Sequence, residues 1–453
     1  MFAPLEKSSH ELQLPRILPR TESGKLNLVA SIGVMDSLSV GEKIHRMLVL
    51  SSRFVGENCS RNGESVLFAL RLASQIVAPL RKASPHNGLR VADVFPRESF
   101  AVEDFLKNFL LPNLHKLDTA HAIAVGKLVA EVSDSRSESF DVVSKHIVSS
   151  IDDLRVAPLV HVAQAYATFG RKDARVFEAI ADGITRNVNA LTPVLITRIM
   201  RAFSLSGYRD ERLFNQLAAK VAFLMPVFST NQLAEVAMGF GRLAIPNTEI
   251  MKRLANEIMS DARRKGLSSK AVVKLAWAIA ACDEDPGAVR DYMAQHADRF
   301  TSLSPAYSNQ SIQALLAIDA GYDHADLLAR VRTPSMIAKG RSGGFEHAVV
   351  DLLVKECGVR IENIKRSTLI AGIESDLLVR VGGRNVIIEC DGDTYHRTWG
   401  PDGGTVPGKD LVQDRARRRL GYTIVHVLAS DLFAGSSKGV VTALREALHP
   451  CSP

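Results

Sequence analysis

The stretch VAQAYATFG, Val162 to Gly170, recurs as IMRAFSLSG from Ile199, VAMGFGRLA from Val236 and LAWAIAACD from Leu275, at spacings of 37, 37 and 39 residues. The segments that follow keep the same step: KDARVFEAIA from Lys172 aligns with RDERLFNQLA from Arg209. Weaker copies begin at Val66 (VLFALRLAS), Ile123 (IAVGKLVAE) and Leu315 (LLAIDAGYD). Self-similarity at a fixed period of this length marks a repeat architecture. Within each copy the apolar residues fall at i, i+3, i+4 and i+7, which predicts helices. One unit is a helix ending near a small residue, a short polar turn and a second helix. Such a unit buries little by itself and must stack on its neighbours. The small residues Ala165, Ala202, Gly239 and Ala278 allow close helix approach. The expectation is mostly α: an α-solenoid of helical-hairpin repeats of about 37–40 residues over residues 28–331.

Outward from the repeats, the opening segment to Lys25 carries four basic and three acidic residues and three prolines. Residues 1–27 therefore read as a lead, targeting-related or disordered; transit peptides are usually poor in acids. After the array, RTPSMIAKGRSGG (332–344) contains Pro334, Gly340, Gly343 and Gly344 and reads as a linker. No run of about 18 consecutive apolar residues occurs, which argues against a membrane span. The five cysteines are scattered, with no CxxC and no neighbouring histidine pair, so neither a disulfide framework nor a zinc site is suggested. Net charge is +7, and 41 basic against 35 acidic residues lie in the first 340 positions, so most of the excess sits on the helical region. This suits a polyanionic partner without requiring one.

Residues 345–453 have a different texture. GFEHAVVDLLVKEC from Gly344 has helical spacing, with Glu346 in its first turn. DLLVRV, Gly382-Gly383 and NVIIEC form a predicted hairpin. A Gly/Pro-rich loop follows, then a helix from Lys409 that stops at Gly421, a strand from Tyr422 and a last amphipathic helix. The predicted order is α-β-β-α-β-α, a compact α/β domain.

The array, at its period of 37 to 40 residues, resembles the heptatricopeptide and octotricopeptide class of organellar helical-repeat proteins. In the C-terminal domain, ECDGDTYH, with Asp391, Gly392 and His396, then KDLVQDRARRRLGYTIVHV with Leu420 and Gly421, resembles the RAP domain over roughly 376–433. That resemblance implies an organellar RNA-associated protein, involved in RNA stability, processing or ribosome assembly. It also implies a relative of the PD-(D/E)xK nuclease fold of the very-short-patch-repair type, hence a restriction-endonuclease-like domain.

The residues allow more than one reading of this domain. A Mg²⁺-dependent endoribonuclease needs convergent carboxylates and a group that orients water. Asp376, Glu389 and Asp391 are the candidate metal ligands, with Glu346 and His396 as further catalytic candidates. Glu389 and Asp391 share a strand face because side chains alternate. Against this, Asp391 stands where the nuclease family has lysine, with His396 or Lys409 as substitutes. Asp391-Gly392-Asp393 also suits a turn whose carboxylates cap amides. For RNA held without chemistry the candidates are Tyr395 and Trp399 as stacking platforms, with His396, Arg397, Lys409, Arg415, Arg417, Arg418 and Arg419 on phosphates. The arginine run exceeds one helical turn, so its members cannot share one face, and Arg417 or Arg418 can instead pair with Asp414.

The favoured expectation is an RNA-binding protein of the mitochondrial matrix, or alternatively of a plastid. It would work in a ribonucleoprotein, as a mitochondrial ribosome component or rRNA stability factor. Its partners would be organellar rRNA or mRNA and neighbouring proteins, and it would need no cofactor. The alternatives are the nuclease, which requires Mg²⁺, and a helical-repeat protein-protein scaffold.

Overall fold

The computed structural model describes residues 96–449, apart from 134–137, 152–153, 169, 265–266, 286, 320, 322, 332–343, 393–396 and 434–436, together with positions 70, 71, 73, 74 and 77. The expected lead (1–27), nearly all of the expected linker, and Tyr395 and His396 lie outside the described residues. The chain is mostly helical, with one small mixed sheet near its C-terminus. It divides into two compact units, Met1–Leu154 and Arg155–Pro453. Among the described residues no helix is long and apolar enough to cross a membrane.

In the first unit, α1 (Pro96–Phe105) runs on through a wide turn and a 3-10 turn to Lys116. Helices α2 (Thr119–Val132) and α3 (Glu138–Ser149) then pack against each other. Asp118 caps α2 by accepting from His121 N at 2.9 Å. Gly126 lets the two helices approach: a Cβ there would stand 3.1 Å from Val143.

The second unit begins with four helical pairs: α4 (Val156–Thr168) with α5 (Ala174–Arg186), α6 (Pro193–Ser206) with α7 (Glu211–Leu224), α8 (Thr230–Arg242) with α9 (Thr248–Ile258), and α10 (Ser269–Cys282) with α11 (Gly287–Gln295). A further first-type helix, α12 (Pro305–Ala317), follows. The recurring sequence supplies the ends of these helices. Asp173, Asp210, Ser229, Asn247 and Ser268 are N-caps whose side chains accept from backbone amides one to three positions inside the helix. Gly207 closes α6 in the left-handed conformation.

The first helices of successive pairs, α4, α6, α8, α10 and α12, lie side by side. Small residues act at these contacts rather than within a pair. A Cβ on Gly239 would stand 3.0 Å from the Met200 side chain, and one on Gly241 would stand 2.6 Å from Ala278 Cα. Between the layers, Phe177 meets Phe203 edge-on at 5.3 Å, and Phe214 meets Phe240 in the same way at 5.3 Å.

The C-terminal module starts at α13 (Gly344–Lys355) and builds a sheet in the order β1 (Ile364–Ile370), β2 (Ile373–Val381), β3 (Arg384–Asp391), then α14 (Gly408–Arg419), β4 (Thr423–Leu428) and α15 (Lys438–Leu448). The first three strands are antiparallel neighbours, and β4 lies parallel to β3 after the α14 crossover. The strand β1 corrects the expected α-β-β-α-β-α order. Its run IKRSTLI has an exposed polar centre without period-2 alternation, because it is an edge strand bonded on one side only. Val349, Leu353, Leu377, Val379, Val386, Ile388, Leu444 and Leu448 form the core on the α13 and α15 side. Ile370, Leu378 and Ile387 pack with Leu420, Tyr422 and Ile424 on the other.

The β2-β3 hairpin closes through Gly382 and Gly383, at φ 57° and 76°, with Val381 opposite Arg384. Both central positions of such a two-residue turn require positive φ. Nothing lies within 4 Å of a Cβ built on Gly382. Gly382→Ala should therefore cost about 1–2 kcal/mol through backbone strain alone, measurable as a lower chemical-denaturation midpoint at unchanged m-value.

Candidate nucleic-acid interface

The module is seated on the helical pairs along a row of turns at the C-terminal ends of their first helices. Helix α14 packs on α8, α10 and α12. Its N-terminal Gly408 is pressed so closely to α8 that a Cβ there would overlap the Gly241 carbonyl oxygen, at 1.7 Å. Arg415 pairs with Asp283 just beyond α10 at 3.2 Å, and Arg419 pairs with Asp319 just beyond α12 at 3.0 Å. Spaced by four, these two arginines share a helix face. They also meet helix C-termini, where positive charge is favourable.

The loop before α14 is tied down by the α6-α7 turn. Trp399 Nε1 donates to Ser206 O at 2.6 Å, Trp399 N donates to Gly207 O at 2.9 Å, and Arg209 N donates to Trp399 O at 2.6 Å. The Trp399 ring meets Tyr208 edge-on at 4.8 Å and Phe177 at 5.2 Å. The buried Arg209 guanidinium donates to Thr405 Oγ1 at 2.8 Å and to the carbonyls of Leu243 and Ala244 at 3.0 and 3.1 Å, and pairs with Glu211. Glu211 N donates to Asp402 Oδ2 at 2.7 Å.

This placement corrects several expected RNA contacts. Trp399 is not an open stacking platform, because its ring and its N–H are spent on the α6-α7 turn. Arg417 is buried on the opposite face of α14, where it lies 2.7 Å from Glu389 and donates to Glu374 O at 3.0 Å, so it cannot meet a phosphate. Arg415 and Arg419 are engaged by Asp283 and Asp319. Arg418 pairs with Asp414 at 3.2 Å.

The candidate nuclease acids lie on the α14 side of the sheet but are met there by the protein's own cations. Asp376 Oδ2 accepts from Cys390 N at 2.7 Å. Glu389 faces Arg417, while Asp391 Oδ2 lies 2.6 Å from His426 Nδ1, and His426 Nε2 lies 2.9 Å from Asp414 Oδ2. Burial opposes charge on His426, yet its bonds to Asp391 and Asp414 prevail and raise it to about 10, so the ring is protonated at neutral pH. Burial pushes the Glu389 carboxyl up to about 7 in spite of the Arg417 charge beside it. Among the described residues no group of three or more His, Cys, Asp or Glu side chains is placed to hold a metal ion. Glu346, Asp376, Glu389 and Asp391 therefore form no metal cage. His426 was not among the sequence candidates; it is adjacent to nothing distinctive along the chain and is identified only by the β3-β4 register that sets it beside Glu389.

Between the seated loop and the first helices remains a cleft of about 410 Å³. Its cationic lining is Lys172, Arg242, Arg397 and Lys409, with Met238 and Trp277 among its apolar walls and no Asp or Glu. Two of these cations, Arg397 and Lys409, are sequence candidates brought together by the fold. The other two were missed, although Lys172 stands one period before Arg209, just past a first helix. Burial lowers the Lys172 pKa. Burial also lowers that of Arg242, and Arg201 adds like-charge repulsion; Glu235, which opposes the shift, is itself paired with Lys274. Arg397 NH1 donates to Gly404 O at 2.5 Å, which holds its guanidinium at the rim. The arrangement is an uncompensated positive recess in a low-dielectric wall, a setting that concentrates an anion.

A family model described as RNA-editing substrate-binding complex 6 protein matches residues 111–283, from the 3-10 turn after α1 to the end of α10. The matched segment is helical throughout its ordered elements and excludes the C-terminal module. A search of curated proteins gives no match.

Proposed function

We propose that this protein is an RNA-binding subunit of a ribonucleoprotein and that it holds RNA in the cleft between its helical pairs and its C-terminal module. The observation that carries this reading is the convergence of Lys172, Arg242, Arg397 and Lys409 around one recess without an acid. The match of the helical segment to a protein of an RNA-editing substrate-binding complex supports it. So does the resemblance of the array to organellar helical repeats and of the module to the RAP domain. On this reading the helical pairs form a solenoid, and the module is a restriction-endonuclease-like frame retained for holding RNA. The setting is an organellar assembly in the mitochondrial matrix, either an RNA-processing complex or the mitochondrial ribosome with its rRNA, where other protein subunits are neighbours. No chemistry is assigned. The acids that a nuclease would use are committed to Arg417, to His426 and to a backbone amide.

Filter binding of the full chain to single-stranded RNA tests this. Four phosphate contacts predict a slope of log affinity against log salt of about −2.8, and each of Lys409→Ala and Arg397→Ala should reduce its magnitude by about 0.7. An Arg418→Ala control, whose guanidinium is paired with Asp414, should leave the slope unchanged. Equal slopes for all three variants would reject the cleft as the RNA site.

A further inference from the structure

The cleft is shaped for one kind of phosphate. An internal phosphodiester carries a single negative charge and must enter and leave a site on two chain directions. The recess at the α14 N-terminus instead gathers four cationic side chains in about 410 Å³, the size of a pocket for one small ligand. One of them, Arg242, is largely withdrawn from water, and its guanidinium makes no hydrogen bond or ion pair among the described residues. A buried, unpaired guanidinium is costly and calls for a dianionic partner that accepts several charge-assisted bonds. The α14 helix adds to this: its N-cap is Pro407, whose side chain accepts nothing, so the Gly408 and Lys409 end is left without a side-chain cap beside the same recess. Met238 and Trp277 supply an apolar wall suited to a base or ribose.

We infer that the cleft receives a chain end of RNA, with a terminal phosphate monoester set among Arg242, Lys172, Lys409 and Arg397. This rests on the RNA-binding reading above and narrows it from RNA in general to the phosphorylated end. Monoesters carry nearly two charges at neutral pH, against one for each internal linkage.

The test uses the full chain and one twelve-nucleotide single-stranded RNA prepared with a 5′-phosphate, with a 3′-phosphate, and with hydroxyls at both ends, read by fluorescence anisotropy with an internal label. The expected result is that one of the two phosphorylated forms binds at least about tenfold tighter than the hydroxyl form. Arg242→Ala and, separately, the exposed Lys409→Ala should erase that advantage while weaker binding of all three RNAs persists, and Arg242→Lys should restore part of it. Melting curves and circular dichroism of each variant identify loss of fold, and Lys409→Ala keeps the test open if Arg242→Ala unfolds. Equal affinity for all three RNAs, lowered alike by Lys409→Ala, would overturn the chain-end assignment and leave the RNA-binding reading intact. Adenosine monophosphate bound in the cleft with no advantage for phosphorylated RNA would overturn it in favour of a free nucleotide. Absence of any RNA binding would remove both.

Discussion

Gly408→Ala should unseat the C-terminal module from the helical pairs. The added methyl would stand 1.7 Å from the Gly241 carbonyl oxygen, and both atoms belong to backbone at a helix end, where no side chain can swing aside. Overpacking of a deformable core costs about 1–3 kcal/mol; a backbone-to-backbone clash should exceed the upper figure. Its relief requires α14 to lift, which breaks the Arg415–Asp283 and Arg419–Asp319 pairs and the Trp399 anchor on Ser206 and Gly207. Hydrogen exchange should then show loss of protection in 206–209 and 397–408 together, with the sheet amides of β2 and β3 still protected. Gly439→Ala is the control: Gly439 lies in α15 with nothing within 4 Å of a built Cβ, and this variant should be neutral or slightly stabilising. Equal exchange in Gly408→Ala and the parent chain would show that the seat is not made as described.

The second large effect is expected from the charge network beneath α14. Arg417→Met leaves Glu389 facing no cation and Asp414 with one partner fewer, in a region where Arg417 is only 2% exposed. Removing one member of a buried pair typically costs about 3–5 kcal/mol, mostly the penalty of the stranded charge. Adding Glu389→Gln should recover a substantial part of this loss, a coupling that independent sites would not show. The same network sets a pH dependence. The raised His426 contributes stability that is complete below pH 6.5 and is lost as the pH rises through about 10. The raised Glu389 contributes in the same sense, complete below pH 4.5 and lost as the pH rises through about 7. Denaturation midpoints should thus fall progressively from about pH 7 to pH 10, and His426→Gln should flatten the upper part of that decline.

How far the sequence carried this picture depended on whether a feature was local. The 37-residue step was readable because each copy repeats a cap, an apolar stripe and a small residue, and the helices begin at those caps. Gly382-Gly383 and Gly421 marked a hairpin and a helix end because only their chemistry meets the positive φ those places need. The sharing of a face by Glu389 and Asp391 followed from strand alternation, and both do point to the α14 side. The arginine run misled for a physical reason. A cationic run next to a linker has the same composition whether it meets phosphate or the aspartates of its own chain, and Asp283 and Asp319 lie about a hundred or more residues upstream. Trp399 misled similarly, since a tryptophan in a Gly/Pro-rich loop looks exposed until the α6-α7 turn closes on it. The cleft itself was hidden because its cations come from three helical pairs and a loop, joined only when the module seats.

Photocrosslinking of the full chain to single-stranded RNA, followed by mass spectrometry of the crosslinked peptides, tests the central claim most directly. The account predicts crosslinks concentrated on the cleft, in peptides containing Lys172, Ser204 to Gly207, Trp277 and Arg397 to Lys409, and their loss in Gly408→Ala. Crosslinks confined to the second helices, α5, α7 and α9, with the cleft peptides unmodified, would contradict it.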